Sequence, residues 1–103
     1  MAEPLDSIIG ALLGRAYEIT EHVWENYVLE NDRPAPDEII RIILDDDPIV
    51  LGHDRNDPQG AACDLEAYNE NGRRMFIRIG YAHRPIRLIT AYWLDAPLEG
   101  KDG

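Results

Sequence analysis

Apolar positions recur at helical spacing through the first half of the chain and at alternating spacing through the second. Ile8, Ile9, Leu12 and Leu13 make one face of a helix over residues 7–16, which Asp6 can cap and which Gly10 and Gly14 weaken. Thr20 stands as the N-cap of a second helix, in which Ile19, Val23, Trp24, Tyr27 and Val28 cover one half. Asn26 falls at the border of that stripe and His22 just beyond it. Pro34 disfavours helical geometry before it, so this helix ends by residues 32–33. The stretch PAPDEIIRIILDDDP predicts a third helix, capped by Asp37 and closed by Pro48, with Ile39, Ile40, Ile43 and Leu44 facing inward.

After Pro48 the period changes to two. PIVLG (48–52) reads as a first strand and HDRNDPQG (53–60) as a loop rich in helix and strand breakers. In AACDLEAYN (61–69), Cys63, Leu65 and Ala67 alternate with Asp64, Glu66 and Tyr68. A tight ENG turn leads into RRMFIRIGY, and AHRP leads into IRLITAYWL. Met75, Ile77, Ile79 and Tyr81 share one face of residues 74–81, against Phe76, Arg78 and Gly80. Strict alternation on 86–94 sets Ile86, Leu88, Thr90 and Tyr92 against Arg87, Ile89, Ala91 and Trp93. The expected class is α+β: N-terminal helices followed by a four-stranded antiparallel sheet. Its expected divisions are a helical extension (1–18), the α+β domain (19–95) and a polar tail (96–103).

Composition narrows the class of protein. A chain of 103 residues with 45% hydrophobic residues suits one globular domain with a modest core. No apolar run is long enough to span a membrane, and the acids ahead of the first apolar segment are the wrong charge order for a secretory signal. The single cysteine, Cys63, excludes an internal disulfide and a cysteine-rich zinc site, and a free thiol suits a reducing cytoplasm.

Charge changes the picture more. The formal net charge is −10, which by itself argues against an anionic nucleic-acid partner. Yet residues 73–87 hold five arginines and no acid, a local cationic segment in an otherwise acidic chain. Those arginines either balance nearby acids from a half-exposed hairpin or form a phosphate-binding patch.

Among familiar chemistries most are missing. His22, His53 and His83 stand about thirty residues apart, with no metal-binding pattern joining them. No glycine-rich phosphate loop, no nucleophile elbow and no local support for a Cys63 nucleophile are present, so no cofactor or metal is expected. The remaining set is a helix-borne histidine, several arginines, and Thr90 with Tyr92 on the last strand. Such groups suit phosphoryl transfer on RNA: histidine can move a proton near neutral pH, guanidinium groups can hold the phosphate, and a hydroxyl can orient either. For each there is a plainer role, since His22 suits a helix surface and Thr90 and Tyr92 are good strand formers.

A resemblance bears on that choice. ITEH opening a helix, an arginine (Arg33) ahead of a PDEII helix, and a final strand reading IRLITAY resemble the BECR superfamily, the barnase, EndoU, colicin and RelE-like nucleases with their toxin- and phage-associated branches. The likeness covers roughly residues 17–95. It implies two helices followed by a four-stranded antiparallel sheet, and a site made from a histidine on the first core helix, a basic residue, and a Ser, Thr or Tyr on the last strand. Transferred to this chain, those are His22, then Arg33 or a hairpin arginine, then Thr90 and Tyr92.

The expectation is therefore a metal-independent endoribonuclease, or a toxin-type relative, cleaving RNA by attack of the 2′-hydroxyl. His22 would be its acid or base, Thr90 and Tyr92 would orient the scissile group, and Arg33, Arg78, Arg87, His83 and Arg84 would bind substrate. The alternative is an acidic immunity protein, antitoxin or nucleic-acid mimic that blocks a basic partner protein, since of the twenty acids only Asp37 has a clear structural role as a cap. An exposed last strand with Trp93 would permit edge pairing into a dimer.

Overall fold

In the computed structural model, which describes residues 4–30, 32–54, 60–82 and 85–95, the helices come first and the sheet is completed last. The elements are α1 (Pro4–Leu13), β1 (Tyr17–Ile19), α2 (Glu21–Leu29), α3 (Pro36–Asp45), β2 (Ile49–Asp54), β3 (Ala62–Tyr68), β4 (Arg74–Gly80) and β5 (Ile86–Trp93). The class is α+β, but the sheet has five strands and is mixed, in the order β1-β5-β4-β3-β2. The expected antiparallel meander is β2 to β5. The additional strand, β1, runs parallel to the start of β5, with Tyr17 opposite Ile86 and Ile19 opposite Leu88. Three residues are too few for an alternation signal, so only the partner strand reveals it.

Ile8 and Leu12 of α1 sit in the same core as the sheet, so this helix packs as part of the domain. Its C-terminus is a Schellman motif: the Ala16 N–H donates to the Ala11 carbonyl (2.7 Å) and the Arg15 N–H to the Leu12 carbonyl (3.1 Å). The left-handed position of that motif, φ 60°, is held by Arg15, one residue after Gly14. Glycine is the residue that adopts this conformation without steric cost. Arg15→Gly is therefore expected to stabilise the domain by about 0.5–1 kcal/mol, raising Tm by roughly 2–8 °C in a thermal melt.

α3 begins with Pro36 at its first turn and Ala35 as the N-cap, so Asp37 lies inside the first turn and is not the cap. Proline is favoured there because its missing N–H would have had no partner inside the helix. Ile39, Ile40, Ile42 and Ile43 are buried. They pack on Cys63, Leu65, Ala67, Met75, Ile77 and Ile79, the inward positions expected on β3 and β4.

The last strand departs from strict alternation. Arg78 pairs with Thr90 and Ile79 with Leu88, which leaves Ile89 as an extra, unpaired residue in β5. Ile86 and Leu88 face the helices before this bulge, and Ala91 faces them after it. Thr90 and Tyr92 are thereby moved to the other face, beside Arg87. Gly80 leaves room for the bulge, since a β-carbon there would stand 3.2 Å from the Cδ1 of Ile89.

Candidate functional site

The sheet face turned away from the helices carries most of the residues with candidate chemistry, in rows fixed by the register. One row runs Thr90, Arg78, Asp64, Gly52, and the next runs Tyr92, Phe76, Glu66, Ile49. On the far side of Gly80, Arg87 stands opposite Glu18 of β1. The Phe76 and Tyr92 rings stack with centroids 5.0 Å apart. Four expected site residues, Arg78, Arg87, Thr90 and Tyr92, thus share one surface.

Each described arginine on that surface is already held. Arg78 reaches Asp64 at 3.0 Å and Asp54 at 3.1 Å, and Arg87 reaches Glu18 at 2.8 Å. Arg74 lies 3.6 Å from Glu66 and 3.3 Å from Asp95. Asp64 and Glu18 stand directly across the ladder from their arginines, where opposite charges attract most effectively. Balance by nearby acids was one of the two roles the sequence offered for these arginines, but the partners themselves were not legible, because the pairs join residues 14, 24 and 69 positions apart. Nor is Asp37 the one acid with a structural role: seven acids hold arginines, and Asp46 accepts the Tyr68 N–H at 2.7 Å.

His22 lies elsewhere, in the first turn of α2, exposed, with Nε2 3.0 Å from the amide nitrogen of Asn26. The pair flanking the apolar stripe thus bond to each other, one turn apart. An apolar stripe on a helix would ordinarily be turned to the core, yet of α2 only Val23 is buried, while Trp24, Tyr27 and Val28 are exposed. The cause is how α2 is moored. Its N-cap, Thr20, caps nothing with its side chain; the hydroxyl donates to the Ile89 carbonyl at 3.3 Å, and the Thr20 N–H donates to the Leu88 carbonyl. Arg33 follows, donating to the Ala91 carbonyl at 3.3 Å and pairing with Glu30 at 2.9 Å. These groups serve β5 where β1 has ended, and they hold α2 beside that strand. Arg33 is therefore a backbone tie and not part of the arginine-bearing face. His83 and Arg84 lie outside the described residues.

Arg73, 9% exposed, forks both guanidinium nitrogens onto Asp32, donates from Nε to the Asp95 carbonyl at 3.1 Å, and lies 4.4 Å over the Trp93 ring. That hydrogen-bonded pairing holds the Asp32 carboxyl below its ordinary value, with burial opposing. A cavity of about 290 Å³ lies between the end of α3 and the β3–β4 turn, lined in part by Glu38, Arg41, Asp45, Asp46 and Glu70, and none of the expected site residues borders it. Cys63 is buried, and burial, followed by the adjacent Asp64 charge, pushes its thiol up to about 11, which suits a packing role. Among the described residues no three His, Cys, Asp or Glu side chains are grouped to hold a metal ion, and no helix is long and apolar enough to cross a membrane.

A scan against protein-family models, a search of the curated proteins and a search of the solved structures each return no match to this chain.

Proposed function

We propose that this chain works by binding: an acidic protein, of the immunity-protein, antitoxin or nucleic-acid-mimic kind, that docks on a basic partner protein. One observation carries the reading. Among the described residues, the arginines that would have gripped phosphate, Arg33, Arg78 and Arg87, are each engaged by the chain's own carboxylates, so the charge left over for a partner is acidic. Among the described residues Glu21, Glu25, Asp37 and Asp45 are not among the acids that pair with these arginines. A surplus of this sign steers a cationic partner to the surface and makes association salt-sensitive.

A second reading, the metal-independent endoribonuclease, is favoured by the collection of Arg78, Arg87, Thr90 and Tyr92 on one face beside the Phe76–Tyr92 stack. Arginine–carboxylate pairs this exposed are worth only about 0–1 kcal/mol, so an RNA phosphate could displace the carboxylates. In this reading His22 serves as acid or base, and the mooring of Thr20 to Ile89 brings the first turn of α2 beside the strand that carries Thr90. The two readings separate on one assay, RNA cleavage by purified protein in EDTA across a pH series, with His22→Ala alongside. The expected result is no cleavage by either protein. Cleavage that survives chelation and is lost with the histidine would replace the binding reading with the nuclease.

A further inference from the structure

We infer that the docking surface is the outward face of α2, and that its occupant is an amphipathic segment of the partner whose apolar residues are bordered by lysine and arginine. This rests on the binding reading and adds where and through what chemistry the partner is held.

The helix is unusual in what it leaves exposed. Trp24 is 47% exposed, Tyr27 43% and Val28 71%, on consecutive turns of a helix that buries only Val23. Residues three and four apart on a helix are neighbours, so Trp24, Tyr27 and Val28 form one stripe. Glu21 and Glu25 lie on the same side, three residues before Trp24 and Val28 respectively, and α2 contains no lysine or arginine. Aromatic side chains that expose a broad apolar face at low entropic cost are the groups that dominate binding energy at interfaces. The Thr20 and Arg33 ties hold α2 beside β5, so the stripe is presented on a fixed element and needs no rearrangement to be met.

The charges choose among occupants. A second copy docked through the same face in a twofold arrangement would bring Glu21 and Glu25 toward their own equivalents, a like-charge contact that opposes self-association. An apolar segment bordered by acids would meet the same repulsion. A segment bordered by lysine or arginine places cations against Glu21 and Glu25 while its apolar residues cover Trp24 and Val28. The stripe supplies affinity and the acids supply selectivity.

The test uses the full chain and a fluorescently labelled helical peptide of about five turns, leucine on one face and lysine on the other, beside its scrambled sequence. Binding is read by anisotropy at low and physiological salt, with the fold of every variant checked by circular dichroism. The helical peptide is expected to bind more tightly than the scrambled one. Trp24→Ala and the double variant Glu21→Lys/Glu25→Lys should each weaken it about tenfold or more. The matched charge change on α3, Glu38→Lys/Asp45→Lys, should alter it by less than about twofold, because it lies outside the contact. Equal losses from the α2 and α3 charge variants, with no effect of Trp24→Ala, would overturn the assignment to α2 while leaving an acidic binding protein standing. Absence of peptide binding, or preference for the scrambled peptide, overturns the inference outright. A wild-type dimer in sedimentation that Trp24→Ala dissociates makes a second copy the occupant and also overturns it. Metal-free RNA cleavage dependent on His22 removes the underlying reading.

Discussion

Arg73→Ala is expected to cost the fold about 3 kcal/mol, a drop in Tm on the order of 12–24 °C for a domain of this size. Among the described residues Arg73 is the one buried charged side chain, and it ties the β3–β4 turn to two other segments, Asp32 after α2 and the end of β5, where it meets Asp95 and the Trp93 ring. Arg73→Met, which keeps the stem over Trp93 but removes the fork, should recover only part of that loss. The isosteric Asp32→Asn should cost less, about 1–2 kcal/mol, because Asp32 is partly exposed and solvent screens the pair. Asparagine also tolerates the left-handed backbone at this position, φ 61°. The pH dependence carries a definite sign. The folded Asp32 carboxyl lies below its unfolded value of about 3.9, so its contribution is fully present above that value and is lost as pH falls through the folded one. Chemical denaturation of wild type and Asp32→Asn should therefore differ at pH 7 and converge in acid. A gap that stayed constant down to low pH would show that Asp32 acts through its shape and not its charge.

Deleting one residue from β4 should unfold the domain, whereas deleting Ile89 from β5 should not. Without Arg78, either Ile79 or the Met75–Ile77 half of β4 must turn from the core to the outer face, and a one-residue slip of this kind costs several kcal/mol. Without Ile89, strict alternation is restored, and Ile86, Leu88, Ala91 and Trp93 still share one face. The expected loss is about 1–3 kcal/mol, from the Thr20 hydrogen bond, the packing over Gly80 and the local twist. Thermal melts of the two deletions beside wild type decide the matter. A folded Arg78 deletion, or an unfolded Ile89 deletion, would mean that the bulge does not set the faces of β5.

Much of this protein was determined by local rules that act over a few residues. The helix over 36–45 follows from isoleucines at helical spacing between two prolines. The faces of β3 and β4 follow from alternation, and the Asn69–Arg73 turn places Gly72 at φ 82°, where glycine is the favoured residue. One extra residue changed the rest of the outer face. Period-two counting placed Thr90 and Tyr92 opposite Arg87, and only pairing with β4 reveals that Ile89 is left out and that all three share a face. Pairing also created β1, since Tyr17–Ile19 is a strand only because β5 passes beside it.

The candidate site divided along the same line. Residue types and their faces on β4 were legible, so Arg78 and Phe76 stand where the pattern put them. The carboxylates that neutralise the arginines, the role of Arg33 on a β5 carbonyl and the outward turn of Trp24 and Tyr27 were not. A helical pattern records which residues lie together on a helix, but it does not record which side meets the protein; that was decided by mooring α2 through Thr20 and Arg33 to a strand 69 and 58 residues later. Ion pairing is equally non-local, because Coulomb attraction depends on distance in space and is indifferent to separation along the chain. The helices and the alternating strands were thus determined by the sequence alone, whereas β1, the bulge of β5, the exposed face of α2 and the remaining surface charge were decided by tertiary contacts between distant segments.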